Sequence, residues 1–242
     1  MLAQAPAPGF AGRTALVTGA SSGIGRAIAQ SLGEKGASLH LPGRRVAILE
    51  EIAARGGRAY RVDLGAAAEI EAFAAEFARG RAGLDLLIHS AGVIGAGAID
   101  EVPAAELDRQ WNINLRAPYL LTQKLLPLLK AAQGQVVFIN SSAGARAVAG
   151  AAAYSAAKHG LRAFADSLRA EINPAGVRVL DVFVGKTATP MQAALHARAG
   201  RPYRPATLIQ AEDVAAVVVH ALGLPRTVEV TAVHLRPLRQ PD

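Results

Sequence analysis

A phenol and an ammonium group stand four residues apart in the segment YSAAK, as Tyr154 and Lys158. Four residues make about one turn of an α-helix, so a helix would place both side chains on one face. An ammonium group beside a phenol favours the phenolate and lowers the Tyr pKa from about 10 toward the range of a proton-transfer group. The pair therefore fits general acid/base chemistry, although the same spacing also occurs on solvated faces of Ala-rich helices.

A second chemical signal is the Gly-rich segment TGASSGIG, Thr18 to Gly25, which follows a short β-branched apolar run. Its glycines allow a tight turn and a close backbone approach, and the N–H groups of a following helix would face an anion. The pattern predicts a phosphate-bearing cofactor here, with a ligand-free turn as the alternative. The cofactor contacts predicted in this turn are Gly19, Ser21, Ser22, Gly23, Ile24 and Gly25.

The end of the second predicted strand, LPGRR, indicates which cofactor fits. An acidic residue usually meets the unphosphorylated ribose of NAD(H) at this point, but Gly43 stands there and Arg44 follows. This favours the 2′-phosphate of NADP(H), with Arg44 preferred over Arg45, while NAD(H) stays possible. The alternative is that the two cations belong to a solvated helix start.

Two further loops follow predicted strands and should also approach the cofactor. Asp63 and Leu64 come after the third strand, where we expect them on the adenine side. Ala91 and Gly92 end the HSAG segment after the fourth strand, and Gly92 gives the chain room to pass the ribose.

The elements needed to position these residues alternate regularly along the chain. Short apolar runs such as TALVT, SLHLPG and LDLLIHSAG alternate with segments of helical period, up to a last run, TVEVTAV. Prolines interrupt one long helical stretch around LDRQWNINLRAPYLLTQKLLPLLKAA and should kink it or lie at turns. The alternation predicts an α/β fold: a Rossmann-type, doubly wound, seven-stranded and mostly parallel sheet with helices on both faces. We expect a flexible lead-in over 1–12 and one domain over 13–242.

Composition limits the classes of function. The chain has 242 residues, 51% of them hydrophobic and 19% charged, which suits one folded domain. Its net charge of +7 comes from singly scattered cations, which make a poor nucleic-acid track, and the absence of Cys excludes disulfides and thiolate chemistry. The segment MLAQAPAPGF lacks the features of a signal peptide, and no apolar run reaches about 20 residues. We therefore expect a cytoplasmic protein with a small-molecule partner, no nucleic acid, no membrane contact and no metal site.

Six segments together resemble the short-chain dehydrogenase/reductase family from about Arg13 to about Pro237. They are TGASSGIG, HSAG, NINL with Asn114, INSSAG with Ser141, YSAAK and VGKTATPM. The resemblance implies an oxidoreductase that moves hydride between a nicotinamide and a carbonyl or secondary alcohol. A carbonyl receiving hydride becomes oxyanion-like, which a proton donor and a second hydrogen bond would stabilise.

The resemblance also implies a role for each matching residue. Tyr154 would be the general acid/base, Lys158 would lower its pKa and bind the nicotinamide ribose, and Ser141 would donate to the substrate oxygen. Asn114 would position a water in the proton relay. Gly185 and Thr189 would contact the nicotinamide, with Thr187 as second choice for its carboxamide. Together these are the predicted catalytic set (Asn114, Ser141, Tyr154 and Lys158) and the nicotinamide contacts.

The chain departs from the family pattern at two places. His89 and Ser90 replace two Asn that usually brace the central strand, and we expect His89 to be structural rather than catalytic. Val184 precedes Gly185 where a Pro is usual, which removes rigidity but no chemical group. Ser142 fits the catalytic position less well than Ser141 and is expected to cap the strand end.

The substrate is left open by the sequence. We expect a mobile lid at about 190–210, whose Met191, Leu195 and Tyr203 would line an apolar site, or whose His196, Arg198 and Arg201 would meet a carboxylate. NADP(H)-dependent carbonyl reduction is the favoured function. An NAD(H)-dependent alcohol dehydrogenase and a non-enzymatic nucleotide-binding regulator are the alternatives. The family resemblance further implies a homo-oligomer, a dimer or tetramer, formed through the helix ending near Leu129 and the helix from Tyr154 to Ile172.

Overall fold

The computed structural model describes residues 9–54 and 56–238. The predicted flexible lead-in over 1–12 lies largely outside these residues. Within it, however, Phe10 is fully buried and its N–H donates to the Lys35 carbonyl at 2.9 Å. The prediction of a frayed segment is therefore wrong for Phe10, because this ring is part of the hydrophobic core.

Seven strands form one sheet in the order β3-β2-β1-β4-β5-β6-β7, and all neighbours pair in parallel. The strands are β1 Thr14–Thr18, β2 Ser38–Gly43, β3 Arg58–Arg61, β4 Leu86–His89, β5 Gln135–Ser141, β6 Arg178–Val184 and β7 Ala232–Leu235. The central strands are buried on both faces, which explains their continuous apolar runs. The predicted doubly wound α/β fold is confirmed.

The described residues form eight α-helices. They are α1 Gly23–Glu34, α2 Val46–Ala53, α3 Ala67–Ala78, α4 Ala104–Trp111, α5 Ala117–Ala131, α6 Ala152–Ile172, α7 Pro190–Arg198 and α8 Ala211–Leu222. One core layer lies between the sheet and α1, α2 and α8, and the other lies between the sheet and α3, α5 and α6. The helices of these two layers bury apolar stripes, as the 3.6-residue period requires, whereas α4 buries only Gln110 and α7 buries no residue.

The long predicted helix is interrupted by a segment that ends two residues before Pro118. A π-helical segment, Asn112–Arg116, separates α4 from α5. Pro118 lies in the first turn of α5, where a missing N–H costs nothing, and Pro127 lies inside the helix. The interruption therefore comes from a change in hydrogen-bond spacing at NINLR, a device that often occurs at functional sites.

The last strand begins later than predicted. TVEVTAV reads as a strand over 227–233, but β7 starts at Ala232, opposite Asp181. Before Ala232, hydrogen bonds from side chains take the place of the expected backbone bonds between strands. The Val179 N–H donates to Glu229 Oε1 at 2.8 Å, and Arg178 Nη1 donates to the Val228 carbonyl at 2.6 Å. The segment is thus held to β6 without being a strand.

The chain changes its winding direction between β1 and β4, since the order runs outward from β1 on both sides. Loops leaving the carboxyl ends of these two strands diverge and leave a crevice, which is where doubly wound sheets bind ligands.

Candidate active site

A cleft of about 710 Å³ opens at this switch point. Its walls are the loops after β1, β2, β3, β4, β5 and β6 together with α6 and α7. The predicted site residues that line it are Gly19, Ser21, Ser22, Gly23, Ile24, Gly25, Arg44, Asp63, Leu64, Ala91, Gly92, Ser141, Tyr154, Lys158, Gly185, Thr187 and Thr189. The structure thus brings together every predicted site residue except Asn114.

The Gly-rich turn is packed against neighbouring backbone. Gly19 has φ +72°, and a Cβ there would lie 2.6 Å from the Ala91 nitrogen. A Cβ on Gly25 would lie 2.5 Å from the Gly19 carbonyl oxygen. Because no side chain fits at either position, these glycines are required by close packing as well as by conformation.

The turn also meets the loop after β6. A Cβ on Gly23 would lie 2.9 Å from Thr189 Cγ2, so the first and last ligand loops touch across the cleft. Thr189 caps α7 by accepting from the Gln192 N–H at 3.3 Å, and its hydroxyl donates to the Thr187 carbonyl. Thr187 is buried and donates to the Gly185 carbonyl at 3.0 Å.

The cations at the end of β2 are arranged differently from each other. Arg45 donates to Ser21 Oγ at 2.8 Å and to Ser22 Oγ at 2.9 Å, so its guanidinium lies against the Gly-rich turn. Arg44 also lines the cleft and is exposed. The sequence favoured Arg44 as the phosphate contact and did not predict the hydrogen bonds of Arg45. These bonds join Arg45 to Ser21 and Ser22, which precede it in the chain by 24 and 23 residues. Nearby, Asp63 Oδ1 accepts from the Gly65 N–H at 2.9 Å and shapes the loop after β3.

Bracing of the central strands is supplied by groups that differ from the family's two Asn. Thr18 Oγ1 accepts from the backbone N–H groups of Ser90 and Ala91 at 3.1 and 3.2 Å, which ties the end of β1 to the loop after β4. His89 is buried, with Nε2 2.8 Å from Thr122 Oγ1 and its ring stacked on Phe138 at 5.1 Å. Burial lowers the pKa of His89 to about 3, so the ring is neutral at physiological pH. These contacts agree with the prediction of a structural histidine.

Asn114 lies in the π-helical segment and behind the cleft wall. Its Nδ2 donates to the Val93 carbonyl at 2.8 Å, and its Oδ1 accepts from the Val93 N–H at 2.9 Å. The side chain therefore fixes the loop after β4 and does not line the cleft, and the positioning of a relay water by Asn114 stays a prediction.

Two hydroxyl groups meet on the substrate side. Ser141 ends β5 and Tyr154 lies in the first turn of α6, and both side chains line the cleft. Burial raises the pKa of the Tyr154 phenol, and the neighbouring Ser141 hydroxyl opposes this shift. The sequence predicted a lowered pKa; the direction differs because the phenol lies in a desolvating wall of the cleft.

Lys158 follows Tyr154 by one helical turn, as predicted. Its Nζ lies 5.9 Å from the centre of the Tyr154 ring and donates to the Ile139 carbonyl at 2.9 Å. The side chain is buried, which lowers its pKa to about 8, and the charge of Asp181 opposes this shift. The ammonium is therefore anchored by backbone under the cleft floor.

Ser142 does not cap the strand end. Ser141 does so, because its Oγ accepts from the Ala143 N–H at 3.2 Å. Ser142 instead lines the cleft. Its backbone carbonyl accepts from the N–H groups of Ala145 and Arg146, since the chain forms a 3₁₀ turn there.

The segment predicted as a lid contains α7, which has no buried residue. Met191 and Leu195 line the cleft, together with Gln192. Of the described residues of this segment, His196, Arg198, Arg201 and Tyr203 lie outside the lining. These side chains do not line the cleft in this arrangement, and a contact of His196, Arg198 or Arg201 with a substrate carboxylate stays a prediction.

Candidate membrane spans and metal sites are both absent from the described part of the chain. Residues 9–54 and 56–238 contain no helix that is long and apolar enough to cross a membrane. The same residues contain no group of His, Cys, Asp and Glu side chains suited to a metal ion.

Comparison with known proteins gives consistent matches. The family model described as short chain dehydrogenase matches residues 13–200. An uncharacterized oxidoreductase of Staphylococcus epidermidis is 31% identical over 230 residues, which cover 93% of this chain and 97% of that protein.

Two solved structures share the fold over nearly the whole chain. A metagenomic short-chain oxidoreductase in complex with NADP is 33% identical with a TM-score of 0.81, covering 96% of this chain and 99% of the other. An alcohol dehydrogenase from the archaeon Thermococcus sibiricus, complexed with 5-hydroxy-NADP, is 26% identical with a TM-score of 0.85, covering 95% and 99%.

Proposed function

Because this chain belongs to the short chain dehydrogenase family, we propose that it is an NADP(H)-dependent oxidoreductase that reduces a carbonyl group to a secondary alcohol. The observation that carries the proposal is the grouping of Ser141 and Tyr154 in the wall of one cleft, with the buried Lys158 one turn behind Tyr154. A non-enzymatic regulator would not need this set.

Each of these residues has a role in the reduction of a carbonyl group. A dihydronicotinamide held in the cleft by residues such as Gly185 and Thr189 would supply the hydride for the new C–H bond at the carbonyl carbon. Ser141 donates a hydrogen bond to the carbonyl oxygen, and Tyr154 transfers its phenolic proton to the same oxygen as negative charge develops there. The product is the alcohol, and the tyrosinate that remains is stabilised by the charge of Lys158.

The Tyr154 phenol suits the reductive step. Burial raises its pKa, so the group is a proton donor at neutral pH, as carbonyl reduction needs. The NAD(H)-dependent alcohol dehydrogenase considered from the sequence is the less favoured candidate because of the two cations at the end of β2.

Preference for NADP(H) is supported by charge at the end of β2. Gly43, Arg44 and Arg45 present two cations and no carboxylate at the mouth of the cleft. Arg45 is already oriented by the hydroxyls of Ser21 and Ser22, so little side-chain entropy is lost when it meets a phosphate. The two structures with bound NADP compounds agree with this choice.

The substrate end of the cleft is mostly apolar. Ile94, Val148, Met191 and Leu195 line it beside Ser141 and Tyr154. We infer that the substrate is a neutral, largely apolar carbonyl compound, because such a surface gains by desolvation and offers a carboxylate few partners.

We also infer a homo-oligomer, a dimer or tetramer. Two successive helices carry large apolar side chains that are more than two-fifths exposed. They are Leu107 and Trp111 on α4, at 44% and 45%, and Tyr119 on α5, at 46%. Large apolar side chains grouped on one helical surface indicate a protein contact. Light scattering on the purified protein tests this: Trp111→Glu should lower the mass to that of a monomer, and an unchanged mass would contradict the proposed surface.

The decisive experiment combines cofactor titration with one substitution. NADPH should bind at least about tenfold more tightly than NADH, equal to about 1.4 kcal/mol, as followed by nicotinamide fluorescence. Tyr154→Phe should keep NADPH binding and lose about 100-fold or more in turnover of apolar ketones. Tyr119→Phe, on an exposed helix face, is the matched control and should keep full activity. Tighter binding of NADH, or binding of neither cofactor, would contradict the proposal.

A further inference from the structure

One carboxylic acid interrupts an otherwise apolar strand. β6 has the sequence RVLDVFV, and Asp181 at its centre is 1% exposed. A buried carboxylate is costly unless an opposite charge or several hydrogen bonds compensate it. None of the roles proposed above involves Asp181, so the groups that offset the cost of burying its carboxylate have to be identified.

The hydrogen bonds of Asp181 lead to the catalytic residues through one side chain. Asp181 Oδ2 accepts from Asn140 Nδ2 at 3.0 Å. The same amide group donates to the Lys158 carbonyl at 3.3 Å, and Asn140 Oδ1 accepts from the Ser141 N–H at 2.8 Å. Because an amide NH₂ has two protons, Asn140 can make both donations at once. It therefore links Asp181 to the backbone of Lys158 and of Ser141.

Hydrogen bonding alone does not compensate the charge of Asp181. Its second oxygen, Oδ1, is buried and has no hydrogen-bond partner among residues 9–54 and 56–238. The Asp181 N–H is used by the Thr231 carbonyl at the edge of β7. A buried carboxylate with a single side-chain donor has to rely on a nearby cation.

The charged groups that act on Asp181 all lie on α6. Lys158 and Arg169 lower its pKa, and Asp166 raises it, while burial is the largest effect and brings it to about 6. Arg169 already has a carboxylate partner, since its Nη1 donates to Asp166 Oδ1 at 2.8 Å. From β5 Asp181 is met by the amide of Asn140, and from β7 by the Thr231 backbone.

Lys158 has the complementary need. Its Nζ donates to the carbonyl of Ile139, a group that carries no formal charge, and the side chain is only 4% exposed. Burial lowers the Lys158 pKa to about 8, and Asp181 is the one group that raises it. The two buried groups carry opposite charges, and the Asn140 side chain joins them by bonding to the Asp181 carboxylate and to the Lys158 carbonyl.

We propose that Asp181 is a positioning residue for the active site: its carboxylate is the counter-charge that keeps the buried Lys158 ammonium protonated, and Asn140 holds the two in register. The consequence for catalysis, a charged Lys158 beside the Tyr154 phenolate, rests on the proposed function. The electrostatic pairing itself does not, and it is tested without turnover.

The first experiment measures the protonation of Lys158 directly. The chain has five lysines, so ¹³C NMR of lysine side chains gives a small set of signals, and Lys158→Met identifies the relevant one. Asp181→Asn keeps an acceptor for Asn140 but removes the charge. We expect it to lower the Lys158 pKa by at least about one unit.

The matched control is Asp166→Asn, which removes a carboxylate from α6 that is itself paired with Arg169. It should leave the Lys158 pKa within about 0.3 units of its original value, because surface charges are screened by water. An unchanged Lys158 pKa in Asp181→Asn, or equal shifts in both variants, would overturn the proposal. A shifted pKa in a protein that shows no carbonyl reduction would support the pairing and contradict the proposed function instead.

A second measurement keeps the proposal testable where Asp181→Asn unfolds. In the Lys158→Met variant the Asp181 carboxylate is a buried charge without a counter-charge. Adding Asp181→Asn removes this charge and should therefore raise the midpoint of urea unfolding. In the original chain the same substitution should lower it. If Asp181→Asn lowers the midpoint equally in both backgrounds, Asp181 acts through Asn140 alone and the counter-charge role is wrong.

Discussion

The two ends of the cleft are built in different ways. At the cofactor end, backbone lies against backbone: the Gly-rich turn leaves no room for a Cβ at Gly19 or Gly25. At the substrate end, side chains project from α7, a helix without a buried residue, and Met191 and Val148 remain 38% and 51% exposed. The shape of the cofactor end is set by close backbone contacts that leave no room for a larger residue. The shape of the substrate end is set by exposed side chains that can be replaced by others.

This difference has a thermodynamic reason. Close-packed backbone transmits any added volume directly into the sheet, because neither partner has a rotamer to change. Exposed apolar side chains on a surface helix lose little when they are altered, since each contributes only the area that it buries. Substitutions should therefore have large effects at the cofactor end and small effects at the substrate end.

The largest effect is expected for Gly19→Ala. A methyl group would lie 2.6 Å from the Ala91 nitrogen in a backbone of φ +72°, so the turn has to open and NADPH affinity should fall by about 100-fold or more. Gly200→Ala is the control, because Gly200 has φ +61° with nothing within 4 Å of an added Cβ. Fluorescence titration should show nearly normal NADPH binding for this control. Similar losses in both variants would mean that backbone conformation matters and close packing does not.

A smaller effect is expected for the cations at the end of β2. Arg45→Ser should weaken NADPH binding by about ten- to hundredfold, the value of one charged hydrogen-bond partner, and Arg44→Ser should have a comparable or smaller effect. NADH binding provides the internal control and should stay unchanged in both variants. Loss of NADH affinity in the same proportion would show that Arg45 supports the turn and does not select the phosphate.

Acid should weaken the framework behind the cofactor end. The pKa values of His40 and His89 are lowered by burial to about 4 and about 3, below the ordinary value of 6.5. Between these values and 6.5 the unfolded chain binds more protons, so this contribution to stability is full above pH 6.5 and declines as the pH falls to about 4 for His40 and about 3 for His89.

Urea unfolding between pH 7 and pH 4 measures this contribution. His89→Gln should lower stability at pH 7, through loss of the stacking on Phe138, and should make the decline with acid less steep than in the original chain. A decline of equal slope would show that other groups, such as carboxylates, carry the acid sensitivity.

The smallest effect is expected at the substrate end. Leu195→Ala removes part of an exposed apolar wall and should raise KM for an apolar ketone only about two- to tenfold, with NADPH affinity unchanged. Arg198→Ala changes the same helix outside the cleft lining and should leave KM as it was. A loss of NADPH binding in Leu195→Ala would break the distinction between the two ends.

The sequence predicted the parts of the molecule that follow local rules. Strand and helix alternation, the Gly-rich turn and the order of the six segments each depend on residues close in the chain, and the fold and family that they indicated are confirmed. The late start of β7 was missed, because side chains of Arg178 and Glu229 take over hydrogen bonds that propensity assigns to a ladder. The π-helical segment was missed as well, since the sequence pointed to the prolines as the places of interruption and not to NINLR.

Within the candidate site, residue types were predictable and pairings were not. Asn140 and Asp181 could have been noticed as polar residues inside apolar runs, but they meet across 41 positions of chain. Arg45 meets Ser21 only because β2 returns beside β1. The direction of the Tyr154 pKa depends on burial, which no local pattern records.

The amino-acid sequence by itself determined which chemical groups are available and the turn that can approach a phosphate, because spacing along a strand–turn–helix unit fixes these locally. Only the tertiary structure decided which charges are buried, which hydroxyls meet, and which lid residues face the cleft. Those properties depend on distances between elements that are far apart in the chain, and desolvation and Coulomb energies follow distance in space.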